Sequence, residues 1–517
     1  MNIKESVYNY IRLCMPIFVC LFLEPKLSAI SLEDAVLNTL QTNPGVKEHV
    51  HNLKSVDKDR DVALSGYYPK LDLSMGMGLA KQKNTPSFNE QSGGQVLRTD
   101  NSITASMNVF NGFDTYYELE AQKHRAGSAR SSMEEYKASL VMKIIENYIG
   151  MMKQKAIVQI SKENVFAHKE IYNKLKEFTK SGMGKASDVR FASGRLTLAQ
   201  VNSVVNENNF IQSKVVFETT LGASVKEGEL SEPTFDYELP DTLKEASSIA
   251  LEFNPSILVG EKNIKSTYSN YKRSKSAYFP SLDMEIKESI LTERGAYDYS
   301  VENSYAMVYL NYNIFNGFAD KANSEKEFAI YLQNKDYLLT TKRDVISKLG
   351  VAWVASVKIA EQLKLLDKLR VYSRITLEDY YQEFGIGRRT LLDIINVKND
   401  YNNARQSYES AKYDLLLSNF RILDAMGGLV DYFLSRADSS KEIDDKVYVE
   451  DKLINNIIYE MNEKLVKKED FIKYDESKYI TFDTMIKNYD TKDDVSLDPY
   501  DTLEKLELEE SKSQDTP

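Results

Sequence analysis

The chain carries one succession of motifs twice, and this duplication constrains its fold more than any other feature. Asn43-Pro44 recurs as Asn254-Pro255 at an offset of 211 residues, together with neighbouring leucine, alanine and Tyr/Phe-Pro positions. Val109-Phe110-Asn111-Gly112-Phe113 recurs as Ile314-Phe315-Asn316-Gly317-Phe318 at an offset of 205 residues. A repeat on this scale indicates one structural unit used twice. We therefore predict two tandem copies, residues 31–225 and 241–430.

Each copy contains two segments in which apolar and polar residues alternate with a period of two. They lie at about 71–81 and 101–110 in the first copy and at about 281–288 and 303–314 in the second. Alternation over about 9–11 residues is what a membrane-spanning barrel strand requires, although a half-buried sheet of a soluble domain shows it too. Barrels in bilayers start at about eight strands, and an open edge in lipid is costly. If these four strands span a membrane, several chains must share the barrel.

Each copy also contains a stretch of unusual length without proline and with little glycine. These stretches run from Asp114 to about Lys180 and from Ala319 to about Phe384. As helices of ~67 residues rising 1.5 Å per residue, they would be about 100 Å long. After a Gly-x-Gly turn, a second helix returns in each copy, which makes two helical hairpins. The predicted fold class is mainly α with membrane β: long coiled-coil helical hairpins plus four strands.

The two ends of the chain differ from the repeats. Residues 1–29 resemble a signal peptide, because the apolar run Leu13 to Leu23 is shorter than the ~20 residues of a membrane helix and a small-residue site follows it. Export across the inner membrane follows from this interpretation. The extension 431–517 holds 24 acidic and 13 basic residues, and we predict that it is partly disordered.

Composition argues against several classes of function. The net charge is −11 and there is no basic block, so nucleic acid is not an expected partner. Both cysteines lie in the predicted signal peptide. His49 and His51 are two residues apart, so on a helix they point to different sides. His124 and His168 are isolated and are expected on the surface. We predict no metal, no cofactor and no enzymatic activity.

The duplicated motifs resemble those of the TolC-type outer-membrane channels of Gram-negative bacteria over residues 31–430. The resemblance implies a homotrimer with a twelve-stranded barrel in outer-membrane lipid and a helical tunnel across the periplasm. It also implies a periplasmic adaptor and an inner-membrane transporter, of ABC or RND type, as partners. The Asn-Gly-Phe junctions favour type I protein secretion. Two alternatives stay open: multidrug or small-molecule efflux by the same family, and a structural coiled-coil envelope protein without transport.

The resemblance further implies a gate at the hairpin turns instead of a catalytic site. Asp393 matches the first acidic ring of the family, whereas Asn396 occupies the position of the second. Phe384 replaces a tyrosine whose hydroxyl helps to hold the family's gate. Arg389, Ser187 and Asp188 match its basic, hydroxyl and acidic partners, and we expect a contact from Arg389 to Asp188. The predicted tips are the turns at Gly182 and Gly184 and at Gly385 and Gly387, and we match Gly182-x-Gly184 to Gly385-x-Gly387. Without the repeat, the favoured interpretation of Asp393 would be a solvated helical carboxylate or a helix cap.

Overall fold

The computed structural model describes residues 30–81, 95–225, 230–294 and 298–436. The predicted signal peptide at 1–29 and the extension from residue 437 onward lie outside these residues. No helix in the described ranges is long and apolar enough to cross a membrane.

The repeated Asn-Pro motif joins two short helices in each copy. The first copy begins with α1 (Leu32–Thr42) and α2 (Pro44–Ser65), and the second with α5 (Leu243–Phe253) and α6 (Pro255–Arg273). Asn43 accepts a hydrogen bond from the Gly45 N–H at 2.8 Å, and Asn254 accepts one from the Ser256 N–H at 3.0 Å. Asparagine is a favoured helix N-cap, and proline suits the first helical position because the N–H that it lacks would have no partner there. The motif thus ends one helix and starts the next.

Four antiparallel strands form a single sheet in the order β1-β2-β3-β4. Their bounds are β1 (Lys70–Lys81), β2 (Gln95–Asn111), β3 (Ser281–Arg294) and β4 (Tyr299–Asn311). The first copy contributes β1 and β2 and the second contributes β3 and β4, so the central β2–β3 pairing joins the two copies. Within one protomer, β1 and β4 are the edges of the sheet.

The strand register separates an apolar face from a polar one. Residues directly opposite each other in a sheet point to the same face. One row across the four strands consists of Leu71, Ala105, Ile286 and Ala306, and the next row, on the other face, consists of Asp72, Thr104, Lys287 and Tyr305. The apolar face is exposed in the protomer: the exposed fraction is 74% for Leu71 and 69% for Leu310. The predicted alternation is therefore confirmed.

The strand bounds differ from the predicted ones. β4 ends at Asn311 instead of residue 314, because Asn311 is opposite Ser281, the first residue of β3, and no partner continues beyond it. β2 begins at Gln95 instead of residue 101, since the segment before residue 101 pairs with the end of β1. β3 likewise extends to Arg294, opposite Leu97. Pairing, more than local alternation, sets these ends.

An Asn-Gly-Phe junction connects the second strand of each β-hairpin to the long helix that follows it. Gly112 and Phe113 have φ of 65° and 69°, and Gly317 and Phe318 have φ of 56° and 65°. A Cβ on Gly112 would lie 2.5 Å from the Ser276 carbonyl oxygen, so both the backbone angle and the available space require glycine there.

Four long helices follow these junctions and form the two hairpins. α3 (Asp114–Lys180) pairs with α4 (Ala186–Leu221), and α7 (Ala319–Gly385) pairs with α8 (Leu391–Met426). The bounds predicted for α3 and α7 agree with the structure to within one residue. A short α9 (Leu429–Leu434) comes last.

The chain divides into two compact units. The first contains residues up to 145, from 226 to 355 and from 418, and the second contains 146–225 and 356–417. The first unit holds the sheet, the short helices and α9. There Phe235 packs against Phe420 and Tyr432, and both of these pack against Phe433. The second unit holds the ends of the two hairpins, and with them all of the predicted gate residues.

Candidate gate at the hairpin turns

An apolar cluster holds the two hairpins together next to their turns. All four long helices contribute buried residues to it: Ile171 and Leu175 from α3, Ala192 from α4, Leu377 from α7, and Leu391, Ile394 and Ile395 from α8. Burial of large side chains stabilises such a contact by ~1.5–3 kcal/mol each. The cluster therefore fixes the first hairpin against the second within one protomer.

The two turns have the same backbone geometry, but their glycines correspond differently from the sequence prediction. Gly182 and Gly387 both have φ of 78°. In each turn the next residue's N–H donates to the carbonyl five residues before it, Met183 to Phe178 at 2.9 Å and Arg388 to Glu383 at 2.8 Å. This is the Schellman motif, whose C′ residue needs a left-handed conformation.

The structurally equivalent glycines are therefore Gly182 and Gly387, at the same offset of 205 residues as the Asn-Gly-Phe junctions. Matching Gly182-x-Gly184 to Gly385-x-Gly387 was wrong by two residues. Gly385 is simply the last residue of α7, and Gly184 is equivalent to Arg389. A Cβ on Gly184 would lie 2.8 Å from the Thr179 hydroxyl oxygen, whereas one on Gly385 would meet nothing within 4 Å.

Asp393 lies in the first turn of α8 and caps it. Its Oδ2 accepts from the Thr390 backbone N–H at 3.0 Å and from the Thr390 hydroxyl at 2.8 Å. The Asp393 N–H donates back to the Thr390 hydroxyl oxygen at 3.3 Å, so the two residues form a capping box. The hydrogen bond from the Thr390 backbone N–H is the largest cause that lowers the pKa of Asp393, and the bond from the Thr390 hydroxyl lowers it further. The carboxylate is therefore charged at neutral pH. The cap considered in the sequence analysis is thus present.

Asp188 occupies the equivalent position in α4, three residues after the N-cap Lys185. Lysine has no acceptor for a capping box, and Asp188 instead accepts a hydrogen bond from the Ser187 hydroxyl at 3.2 Å. The structure therefore places one carboxylate at the same height in each hairpin, at the positive end of a helix dipole where an anion is favoured.

Arg389 is bonded within its own hairpin. Its Nε donates to Glu383 Oε2 at 2.5 Å, and its guanidinium carbon lies 4.1 Å from the centre of the Tyr380 ring. The bond to Glu383 raises the pKa of Arg389. In the protomer this arginine thus braces the turn between α7 and α8, instead of making the expected contact with Asp188.

The other predicted positions fall on two sides of the helices. Phe384 packs against the apolar cluster, and Asn396 is exposed. Sequence reasoning missed Glu383 and Tyr380, because a contact that folds back across a Schellman turn has no simple spacing signal. It also placed His168 on the surface, whereas that residue is only 2% exposed. Among the described residues, no group of three or more His, Cys, Asp or Glu side chains is arranged to hold a metal.

A family model of the outer membrane efflux protein matches residues 36–223 and 246–428. The chain belongs to the outer membrane efflux protein family. It is 19% identical over 399 residues to the outer membrane efflux protein BepC of Brucella suis, covering 77% of this chain and 85% of BepC. It is 20% identical over 448 residues to the outer membrane protein TolC of Vibrio cholerae, covering 80% of this chain and 95% of TolC.

Solved channel structures share the fold. The outer-membrane channel CmeC of Campylobacter jejuni superposes with a TM-score of 0.67 at 16% identity, over 82% of this chain and 89% of CmeC. The outer-membrane channel OprN superposes with a TM-score of 0.68 at 16% identity, over 77% of this chain and 90% of OprN. The mainly helical fold with four strands is therefore that of a channel-tunnel protomer.

Family membership settles the general function. The outer membrane efflux protein described here is an outer-membrane channel of tripartite export systems, with a long helical periplasmic portion. Members of the family are trimeric, work with periplasmic adaptors and inner-membrane pumps, and are passive ducts. The chain is therefore not an enzyme, and the structural coiled-coil alternative is excluded.

Proposed function

We propose that three copies of this chain form the exit duct of a type I protein secretion system, with a gate at the hairpin turns. The trimer is supported by the free edges β1 and β4: a sheet of four strands leaves them unpaired, and unpaired backbone in lipid is costly. Pairing β4 of one protomer with β1 of the next closes a barrel of twelve strands, within the size range of bilayer barrels.

The gate proposal rests on two carboxylates in the first turns of their helices, Asp188 on α4 and Asp393 on α8, which lie beside one apolar cluster. Three protomers would bring three copies of Asp393 to a common axis, and gathered charges of one sign attract cations. Asn396 adds no charge one turn further on, so the constriction has one acidic ring. Arg389 stabilises the turn that presents it.

The partners follow from the same arrangement. A passive duct needs an inner-membrane transporter as its source of energy and a periplasmic adaptor to engage the tips around Gly182 and Gly387. The resemblance of both Asn-Gly-Phe junctions to those of secretion ducts supports a polypeptide cargo and hence a transporter of ABC type. The residues of the gate themselves do not select a cargo.

Small-molecule efflux is the second candidate, favoured by the names of relatives. A probable efflux pump outer membrane protein, SepC, and a toluene efflux pump outer membrane protein, TtgF, both from Pseudomonas putida, are each 19% identical to this chain over 414 residues. An RND-type transporter would then supply the cargo.

Deletion of the gene separates the two cargo classes. We expect the deletion strain to lose defined proteins from its culture medium while its susceptibility to toluene and to antibiotics stays within twofold of the parent. Unchanged secreted proteins together with a large gain in susceptibility would contradict protein secretion and favour efflux. Crosslinking in intact cells, followed by mass spectrometry, would identify the adaptor at the hairpin turns.

A further inference from the structure

A polar layer interrupts the contact between the two hairpins, directly beside the apolar cluster. It consists of three pairs between α3 and α8: Glu163 with Arg405 at 2.5 Å, Asn164 with Asn402 at 2.5 Å, and His168 with Asn399 at 3.0 Å. Ile171 and Ile395 of the apolar cluster lie one turn further along the same helices. Separation of the hairpins at their tips would have to break this layer.

His168 is the titratable centre of the polar layer. Its side chain is 2% exposed, and its Nε2 is bonded to Asn399 Oδ1. An amide oxygen can only accept, so Nε2 carries the proton in this bond, and the ring is neutral as long as Nδ1 carries none. Among the described residues, Nδ1 has no hydrogen-bond partner, and neither does Asn402 Oδ1.

A cavity of about 370 Å³ between α3, α4 and α8 is lined by His168 and Asn402, whose Nδ1 and Oδ1 acceptor atoms are themselves covered from solvent. Its wall contains both residues and is otherwise rich in carboxamides, with Asn164, Asn202 and Asn206 among them. A polar cavity of this size holds several waters. Water in this cavity would lie next to the buried ring and supply its protons.

The charged groups around His168 oppose its protonation. Burial is the largest cause that lowers the pKa of His168, and the positive charges of Lys398 on α8 and Arg195 on α4 lower it further, while the hydrogen bond to Asn399 acts in the opposite direction. The carboxylate of the layer, Glu163, is bonded to Arg405, and Glu163 and Glu170 both act on Lys398. Lys398 is itself disfavoured as a cation, since burial lowers its pKa to about 8. A proton on His168 would thus add a positive charge where two cations already lie.

We propose that the polar layer is a proton-sensitive latch, which holds α3 against α8 while His168 is neutral and releases them when His168 is protonated. The latch proposal rests on the proposed function in one respect, which is that the contact between α3 and α8 controls the gate. The direction follows from linkage: a group whose pKa is lower in the latched state stabilises that state fully above its unlatched pKa of ~6.5. The stabilisation is lost as the pH falls below that value.

Hydrogen exchange followed by mass spectrometry tests the latch on the purified full-length trimer in detergent. The measured quantity is the protection factor of peptides from 160–175 and 391–406 between pH 7.5 and 5.5. A protection factor already corrects for the intrinsic pH dependence of exchange. Protection in the parent should fall by up to ~10-fold per pH unit below about 6.5. His168→Gln keeps an N–H donor for Asn399 but cannot titrate, so its protection should not depend on pH.

His124→Gln is the matched control, because His124 lies in the first unit and its replacement should leave the parent's response intact. A flat parent profile, or a His168→Gln profile that falls as the parent's does, overturns the latch. If His168→Gln loosens the layer at every pH, ring titration in isotope-labelled parent protein decides: the His168 transition must coincide with the loss of protection. If the parent protein shows the pH response but deletion of the gene leaves the secreted proteins unchanged, the proposed secretion function fails and the latch stands.

Discussion

Replacement of Asp393 by asparagine should weaken the cation preference of the channel without disturbing the turn. Asparagine keeps an oxygen that can accept from the Thr390 N–H and hydroxyl, now bonded at 3.0 and 2.8 Å, so most of the cap survives. In a constriction of radius ~6 Å, each carboxylate attracts a monovalent cation by ~0.7 kcal/mol in water. With screening at a Debye length of about 10 Å, the summed attraction of three carboxylates for one cation is roughly 1 kcal/mol. This corresponds to about fivefold enrichment of the cation.

Reversal potentials in planar bilayers under a salt gradient measure this enrichment. The expected result is a fall in cation-to-anion selectivity of about fivefold for Asp393→Asn, together with weaker block by multivalent cations. Thr390→Ala is the control for the cap: it should destabilise the start of α8 by ~0.5–2 kcal/mol while leaving the charge in place. Normal assembly of Asp393→Asn with unchanged selectivity would show that Asp393 lies away from the pore axis and acts only as a cap.

The Asp393 carboxylate also predicts the direction in which stability and cation preference change with pH. The pKa of Asp393 is lowered in the folded protein by its bonds to Thr390, so its stabilising contribution is complete above an unfolded value of ~3.9. The contribution, and the cation preference with it, should be lost only as the pH falls below that range. Selectivity that changes near pH 6 would have to come from another group, and His168 is then the first to test.

Three further substitutions test the sheet, the brace and the turn. Ile286→Arg on the apolar face in the middle of β3 should cost ~2–4 kcal/mol near the middle of the membrane and reduce trimer yield, whereas Thr104→Arg on the opposite face should be mild, and equal yields would refute the assigned faces. Arg389→Ser should raise single-channel conductance, and Glu383→Ala should match it because both remove the 2.5 Å bond; if both variants conduct like the parent, the gate is held by apolar packing and not by this bond. Gly387→Ala should lower the trimer's melting temperature, since φ of 78° costs a non-glycine residue roughly 1–2 kcal/mol, and an unchanged value would contradict the strain.

The long helices and the strand faces were predictable from the sequence because each depends on local periodicity. α3 and α7 lack proline and contain little glycine, so nothing within 67 residues interrupts them. The strand ends were not predictable in the same way. β4 stops at Asn311 because its partner β3 begins at Ser281, and that register is a property of two segments that a single alternating pattern does not contain.

The hairpin turns show that glycines with the same spacing in sequence need not be structurally equivalent. Two glycines separated by one residue occur in both turns, but only Gly182 and Gly387 have a positive φ, and φ is invisible in the sequence. The offset of 205 residues already found at the Asn-Gly-Phe junctions also relates Asp188 to Asp393, so it was the better guide.

Arg389 follows from the same correction. Its equivalent in the first turn is Gly184, where a Cβ would collide with the Thr179 hydroxyl, so the first hairpin cannot carry the side chain that braces the second. The two hairpins therefore share a backbone and an N-terminal carboxylate but differ in how their turns are held. Because Arg389 and Glu383 brace the second turn, loss of this contact should loosen the tip at α7 and α8, and substitutions at Arg389 should affect conductance more than any at Ser187.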